Sequence, residues 1–256
     1  MKTKHYLLIG FLALFFFLIV NIPAAPVYEA VKAKIPQLQI QNIEGSIWNG
    51  SAQQITVQSR HVLKNVNWSV CLAHILIAEA CVDFDVSYSN NPLSGQISVN
   101  ISNNIQAKNI ETSMTAKSLS QIFPLPLGEI AGNIDINIES LNWTPGSVPA
   151  IQGEIQWHDA SITIAQTAKL GNVTITLNEP VDNPVNAEIT NKDGDLAING
   201  RLSLGENTDY KVDLTLTPRN KQNQNIKNSL SLFAKSGPDG SYTVKNNGNL
   251  KQLGLM

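Results

Sequence analysis

The chain has 256 residues, 43% of them hydrophobic and 15% charged, with a formal net charge of -2. That supplies enough apolar material for a buried core, but neither the basic field of a nucleic-acid binder nor an acidic tail. Many of its polar positions are Asn, Gln, Ser and Thr.

In chain order, Lys2 and Lys4 precede an apolar run from Tyr6 to Val20, extended by Asn21, Ile22 and Pro23. Counted to Ala25, the stretch is about 20 residues, what a helix needs to cross the hydrocarbon layer, and the lysines hold its start in the cytoplasm. The expected organisation is therefore a cytoplasmic N-terminus at 1–5, a transmembrane anchor at 6–25 and an exported β-rich domain at 26–256. A cleaved signal peptide has the same charge order. Pro26, directly after the small residues Ala24 and Ala25, would hinder cleavage and favours the uncleaved anchor.

Val27 to Lys34 reads as a short helix ending before Pro36. Beyond it, apolar and polar residues alternate with period two, which places one face of each strand in a core. The runs include Leu38 and Ile40; Ile55 and Val57; Val66, Trp68 and Val70; Val82, Phe84, Val86 and Tyr88; and Ile97, Val99 and Ile101. Later runs carry Ile134, Ile136 and Ile138, then Ile155 and Trp157, then Val173 and Ile175, and continue to Leu216. Turn signals separate them at Asn90-Asn91-Pro92, Pro145-Gly146, Asp193-Gly194, Asn199-Gly200 and Pro238-Asp239-Gly240. Glycines 95, 132, 153, 171 and 200 are each followed at two and four positions by apolar residues, as if glycine opened a strand at a bulge or a positive φ. One helical interruption is expected at Thr115 to Phe123, ended by Pro124 and Pro126, and Asn220 to Asn228 reads as a polar loop.

Two cysteines, Cys71 and Cys81, stand close together, and an exported compartment permits a disulfide between them. If paired, they close a loop of about 11 residues, which the chain-entropy model values at roughly 3 kcal/mol. The other reading is two buried thiols on neighbouring strands.

Catalytic chemistry is hard to find. The four histidines occur singly, outside any His-x-His or HExxH pattern, and neither a GxSxG nor a Walker loop is present. His158 and Asp159 are consecutive on a strand and point to opposite faces, so they do not form a relay. The expectation is no catalytic residues, no cofactor and no metal. Trp68 and Trp157 lie on the apolar side of their runs and read as core anchors, while Trp143 reads as a cap on a sheet end.

Residues 45–50, GSIWNG, interrupt the pattern. Trp48 sits where alternation calls for a polar residue, and Gly50 lets the chain bend, which suggests a corner that turns the ring inward. A short cytoplasmic N-terminus, one membrane helix, this Gly-x-x-Trp-x-Gly segment and a second tryptophan strand at Asn65 to Val70 follow in order. In that order the chain resembles the type II secretion system protein N family, also called general secretion pathway protein N. Gly45, Trp48, Gly50 and Trp68 occupy the places of the family motif. Cys71 and Cys81 depart from it, since proline and glycine would be expected to shape that turn.

The resemblance implies an accessory inner-membrane component of a machine that moves folded periplasmic proteins across the outer membrane, with the body in the periplasm and no catalytic residues. Its implied partners are other secretion parts: the pseudopilus, the inner-membrane platform or the outer-membrane secretin. The expected fold is mainly β, an N-terminal transmembrane helix followed by an extended, curved antiparallel sheet with one or two short helices. Such a sheet, folded over or a half-barrel, also loosely resembles AsmA-like and lipopolysaccharide-transport proteins. The second functional reading is accordingly a lipid-binding or lipid-transport module of the cell envelope.

Overall fold

The computed structural model describes residues 2–58, 61–122, 129–163, 167–178, 185–205, 207–220, 222–231 and 234–249. The chain divides into two compact units, Met1–Ser98 and Val99–Met256. The architecture is mainly β and antiparallel, with few helices.

The first unit begins with helix α1 (Lys2–Val20), followed by α2 (Ala24–Val31) and a 3-10 turn at Lys32–Lys34. The segment read as one anchor over 6–25 is thus divided after Val20. Pro23 has no N–H to continue α1, but its extended backbone (φ -72°, ψ 138°) suits the position before α2. Among the described residues no helix is long and apolar enough to cross a membrane. The apolar run of α1 from Tyr6 to Val20 reaches about 22 Å at the helical rise, against a hydrocarbon layer of about 30 Å. On α2 the Glu29 carboxylate bonds and attracts the Lys32 amine, raising its pKa above the ordinary lysine value.

Strands β1 (Leu38–Gly45), β2 (Asn49–Val57), β3 (His61–Val70), β4 (Glu79–Tyr88) and β5 (Asn91–Asn100) pair in sequence order. A short helix, α3 (Leu72–Ile75), lies between β3 and β4. The alternation places the core as expected: Ala52, Val66 and Val86 are buried, with Ile40, Ile55, Leu63, Trp68, Phe84 and Leu93 packed around them. β5 departs from it, because Ser98 is buried while Ile97 is exposed. The Ser98 hydroxyl donates to the Glu79 carboxylate across the pair, which satisfies a polar group inside.

In the second unit β6 (Ile105–Thr115), α4 (Ala116–Ile122), β7 (Glu129–Trp143), β8 (Ala150–Thr163), β9 (Thr167–Asn178), β10 (Val185–Lys192), β11 (Leu196–Leu204) and β12 (Asp209–Pro218) follow in turn. The chain ends with α5 (Gln224–Ser231), β13 (Lys235–Ser236) and β14 (Tyr242–Asn249), where β14 pairs with β12 and the two-residue β13 lies outside it. The expected helix at Thr115 to Phe123 is found as α4; Phe123, Pro124 and Pro126 lie outside the described residues.

Three readings need correction. Asn199-Gly200 is no turn: both residues lie inside β11, where Gly200 faces Leu214, and a Cβ there would meet the Leu214 side chain at 2.2 Å. The repeated glycines sit within strands and do not open them, although Gly95, Gly132, Gly153 and Gly171 take the expected positive φ. Gly132 marks a register shift between β7 and β8, with φ +112° that other residues rarely adopt. Asn220 to Asn228 is not wholly loop, since α5 starts at Gln224; the Asn223 side chain caps it by accepting from Ile226 N at 3.2 Å. Ile226 and Leu230, one turn apart, dock on the core of Ala160, Leu170, Val173, Leu196, Leu216 and Tyr242. Tertiary burial outweighs the polar composition.

Candidate functional site

Each residue of the GSIWNG corner has a physical task. Gly45 and Gly50 pair at the ends of β1 and β2, and residues 46–48 connect them. Gly45 takes φ +83°, and Ser46 holds the loop closed: its N–H donates to Asn49 O at 2.9 Å, and its Oγ accepts from Asn49 N at 3.1 Å. Gly50 leaves room for Trp68, which crosses directly opposite it on β3 with Phe84 on its far side. The motif glycines therefore permit a tight loop and a close aromatic approach.

Trp48 does not turn into the core. It is half-buried, and its indole Nε1–H donates to Ile19 O in the last turn of α1 at 2.8 Å. In a continuous helix that carbonyl would accept from the residue four places on, which is Pro23 and has no N–H. Ile22 N reaches that carbonyl at 3.3 Å and Trp48 adds the shorter bond, Ile47 N donates to Ile22 O at 3.0 Å, and Pro23 bridges to Ser46. The corner thus grips the chain where it leaves α1. Pro23, four residues after Ile19, was the sequence signal for this contact.

The same end of the sheet carries the cysteines. Val70 N donates to Trp48 O at 2.7 Å, and Cys71 follows at once. Cys71 and Cys81 form a disulfide with an S–S distance of 2.04 Å. The loop it closes projects Leu72, Ile75, Leu76 and Ile77, all exposed.

An open groove of about 670 Å³ on the first unit is lined by Glu44, Asp83, Asp85, Trp68, Phe84 and several small polar residues. Its carboxylates make it unsuitable for acyl chains. Among the described residues no three His, Cys, Asp or Glu side chains are grouped to hold a metal. His158 pairs with Asp135 on the adjacent strand at 3.2 Å, an exposed contact. In the second unit Trp157 lies against the core and donates to Ala131 O at 2.9 Å, and Trp143 donates to Ser147 O at 2.9 Å across the turn that ends β7.

Residues 36–245 match the family model described as type II secretion system (T2SS), protein N. The chain belongs to the type II secretion system protein N family. That match contains Gly45, Trp48, Gly50 and Trp68 as well as both cysteines, while α1 and α2 precede it. A relative from Vibrio cholerae serotype O1, named type II secretion system protein N, is 23% identical over 221 residues, covering 83% of this chain and 85% of that protein. No solved structure matches. Membership of the family makes the chain a component of type II secretion.

Proposed function

We propose that this protein is a non-enzymatic accessory component of the type II secretion system, anchored in the inner membrane by α1, with its strands on the periplasmic side. The observation that carries the anchoring is the state of α1: Tyr6, Phe11, Leu14, Phe16, Phe17 and Leu18 are all exposed, so its described apolar side chains are uncovered all round. A helix hydrophobic on every side needs an apolar medium. A run shorter than the hydrocarbon layer is accommodated by local thinning of the bilayer.

Interaction with other secretion proteins then falls to the strands. The free edge of β1 is blocked, since the Tyr28 hydroxyl donates to Leu38 O and accepts from Ile40 N, both at 3.1 Å. Among the described residues β14 is covered by only the two residues of β13, which leaves Lys245 to Gly248 facing a partner strand. The acidic groove and the disposition of Trp68 and Trp157 against core residues speak against lipid transport.

A photo-crosslinking residue at the exposed position Asn247, placed in a secreting strain, is expected to capture another secretion component such as the pseudopilus, the platform or the secretin. Deletion of the gene is expected to leave exoproteins in the periplasm. Normal secretion by the deletion strain together with no crosslinked partner would refute the proposal.

A further inference from the structure

The loop between Cys71 and Cys81 has features that the secretion role does not explain. Its seven residues from Leu72 to Ala78 carry no acid and no lysine or arginine. Leu76 is 89% exposed and Ile77 69%, with Leu72 and Ile75 about half exposed. A cluster of large aliphatic side chains at a loop tip signals an apolar surface that receives it.

Polar groups of the loop bond within it and at its base. His74 Nδ1 lies 2.8 Å from Glu79 Oε2, and the Ser98 hydroxyl bonds the other Glu79 oxygen, so the ionisable groups are tied together at the base. The amides of His74, Leu76, Ile77 and Ala78 donate to Cys71, Ala73, His74 and Ile75 carbonyls at 2.9–3.3 Å. Ala78, with φ 57°, then turns the chain back into β4. Internal satisfaction of backbone groups is what a medium without water demands.

Position identifies that medium. Cys71 directly follows Val70, Val70 N is bonded to Trp48 O, and the Trp48 indole is bonded to the last turn of α1. The loop therefore stands at the end of the sheet where α1 enters it. Trp48, at the same level, is the residue type enriched where protein meets the headgroup layer.

We propose that the disulfide-closed loop Cys71–Cys81 is a second membrane contact, an apolar finger that dips Leu72, Ile75, Leu76 and Ile77 into the leaflet from which α1 emerges. Its occupant is the lipid surface itself. With α1 and the finger both engaged, β1 to β4 are held upright on the bilayer, where a single helix would let them swivel. This inference rests on the anchoring of α1 proposed above.

The test uses the full chain in vesicles of phosphatidylethanolamine and phosphatidylglycerol with brominated acyl chains. Tryptophan is introduced by Leu76→Trp or, as a control, by Gln39→Trp, an exposed position of β1 remote from Gly45. Both sites are exposed, so neither change threatens folding. Flotation with the vesicles reports on α1. The emission added by Leu76→Trp is expected to shift to the blue and to lose more than half its intensity in brominated lipid, with that of Gln39→Trp unchanged. If the protein floats but the tryptophan at 76 is no more quenched than that at 39, the finger proposal is overturned while the anchor stands; the loop then faces water or awaits a protein. If the wild-type chain does not float, both fall.

Discussion

Gly50→Ala is the sharpest probe of the corner. The added Cβ would lie 2.5 Å from Trp68 Cζ2, 2.6 Å from Glu44 O and 2.9 Å from Ser46 O, where carbon contacts settle near 3.5–4.0 Å. Two of these neighbours are backbone oxygens held by the Gly45 to Gly50 pair and by the Ser46 bonds, so no side-chain rotation relieves them. The third is a ring confined by Phe84. Overpacking of this kind costs about 1–3 kcal/mol, and the rigid backbone places it near the upper end. The smaller unfolded-state entropy of alanine returns up to about 1 kcal/mol, leaving a net loss of about 2 kcal/mol. Urea unfolding of the full chain in detergent, followed by tryptophan emission, should show an earlier transition for the first unit. Gly10→Ala, with nothing within 4 Å of its added methyl, is the control and should not move the transition to lower urea. A Gly50→Ala midpoint equal to wild type would refute the steric account.

Removing the disulfide by Cys71→Ala with Cys81→Ala should destabilise the first unit by about 3 kcal/mol, the chain-entropy value for a loop of this length, read as an earlier urea midpoint and loss of the gel shift on reduction. Trp48→Phe keeps a ring but deletes the donor to Ile19 O; a loss of about 1 kcal/mol would speed hydrogen exchange at the Ile22 and Ile47 amides several-fold, with little change elsewhere. Leu230→Ala should cost about 2–4 kcal/mol in the second unit, because Leu230 on α5 is buried in its core; a change under about 0.5 kcal/mol in the thermal or urea transition would show that α5 does not hold that core together.

The period-two alternation was enough to read the β architecture, and with it the packing of Trp68, Phe84, Val66 and Val86, because burial of one strand face leaves its trace in every second residue. Gly45 and Gly50 were legible too, as glycines that a turn and a close approach require, and the two cysteines as a pair near enough to cross-link. Those constraints are local, acting within a strand or a loop.

Tertiary structure decided what depended on a distant partner. Trp48 turns to α1 because Pro23 cannot give the Ile19 carbonyl a donor four places on and Ile22 N reaches it only at 3.3 Å, a contact spanning 29 positions that alternation does not encode. Ser98 is buried in place of Ile97 because a carboxylate waits across the sheet, and α5 forms from an Asn-rich stretch because Ile226 and Leu230 find a core. Gly200 reads as a turn until Leu214 is seen to occupy the space beside it. Composition and period settle which residues can be inside; only the fold settles what each one meets there.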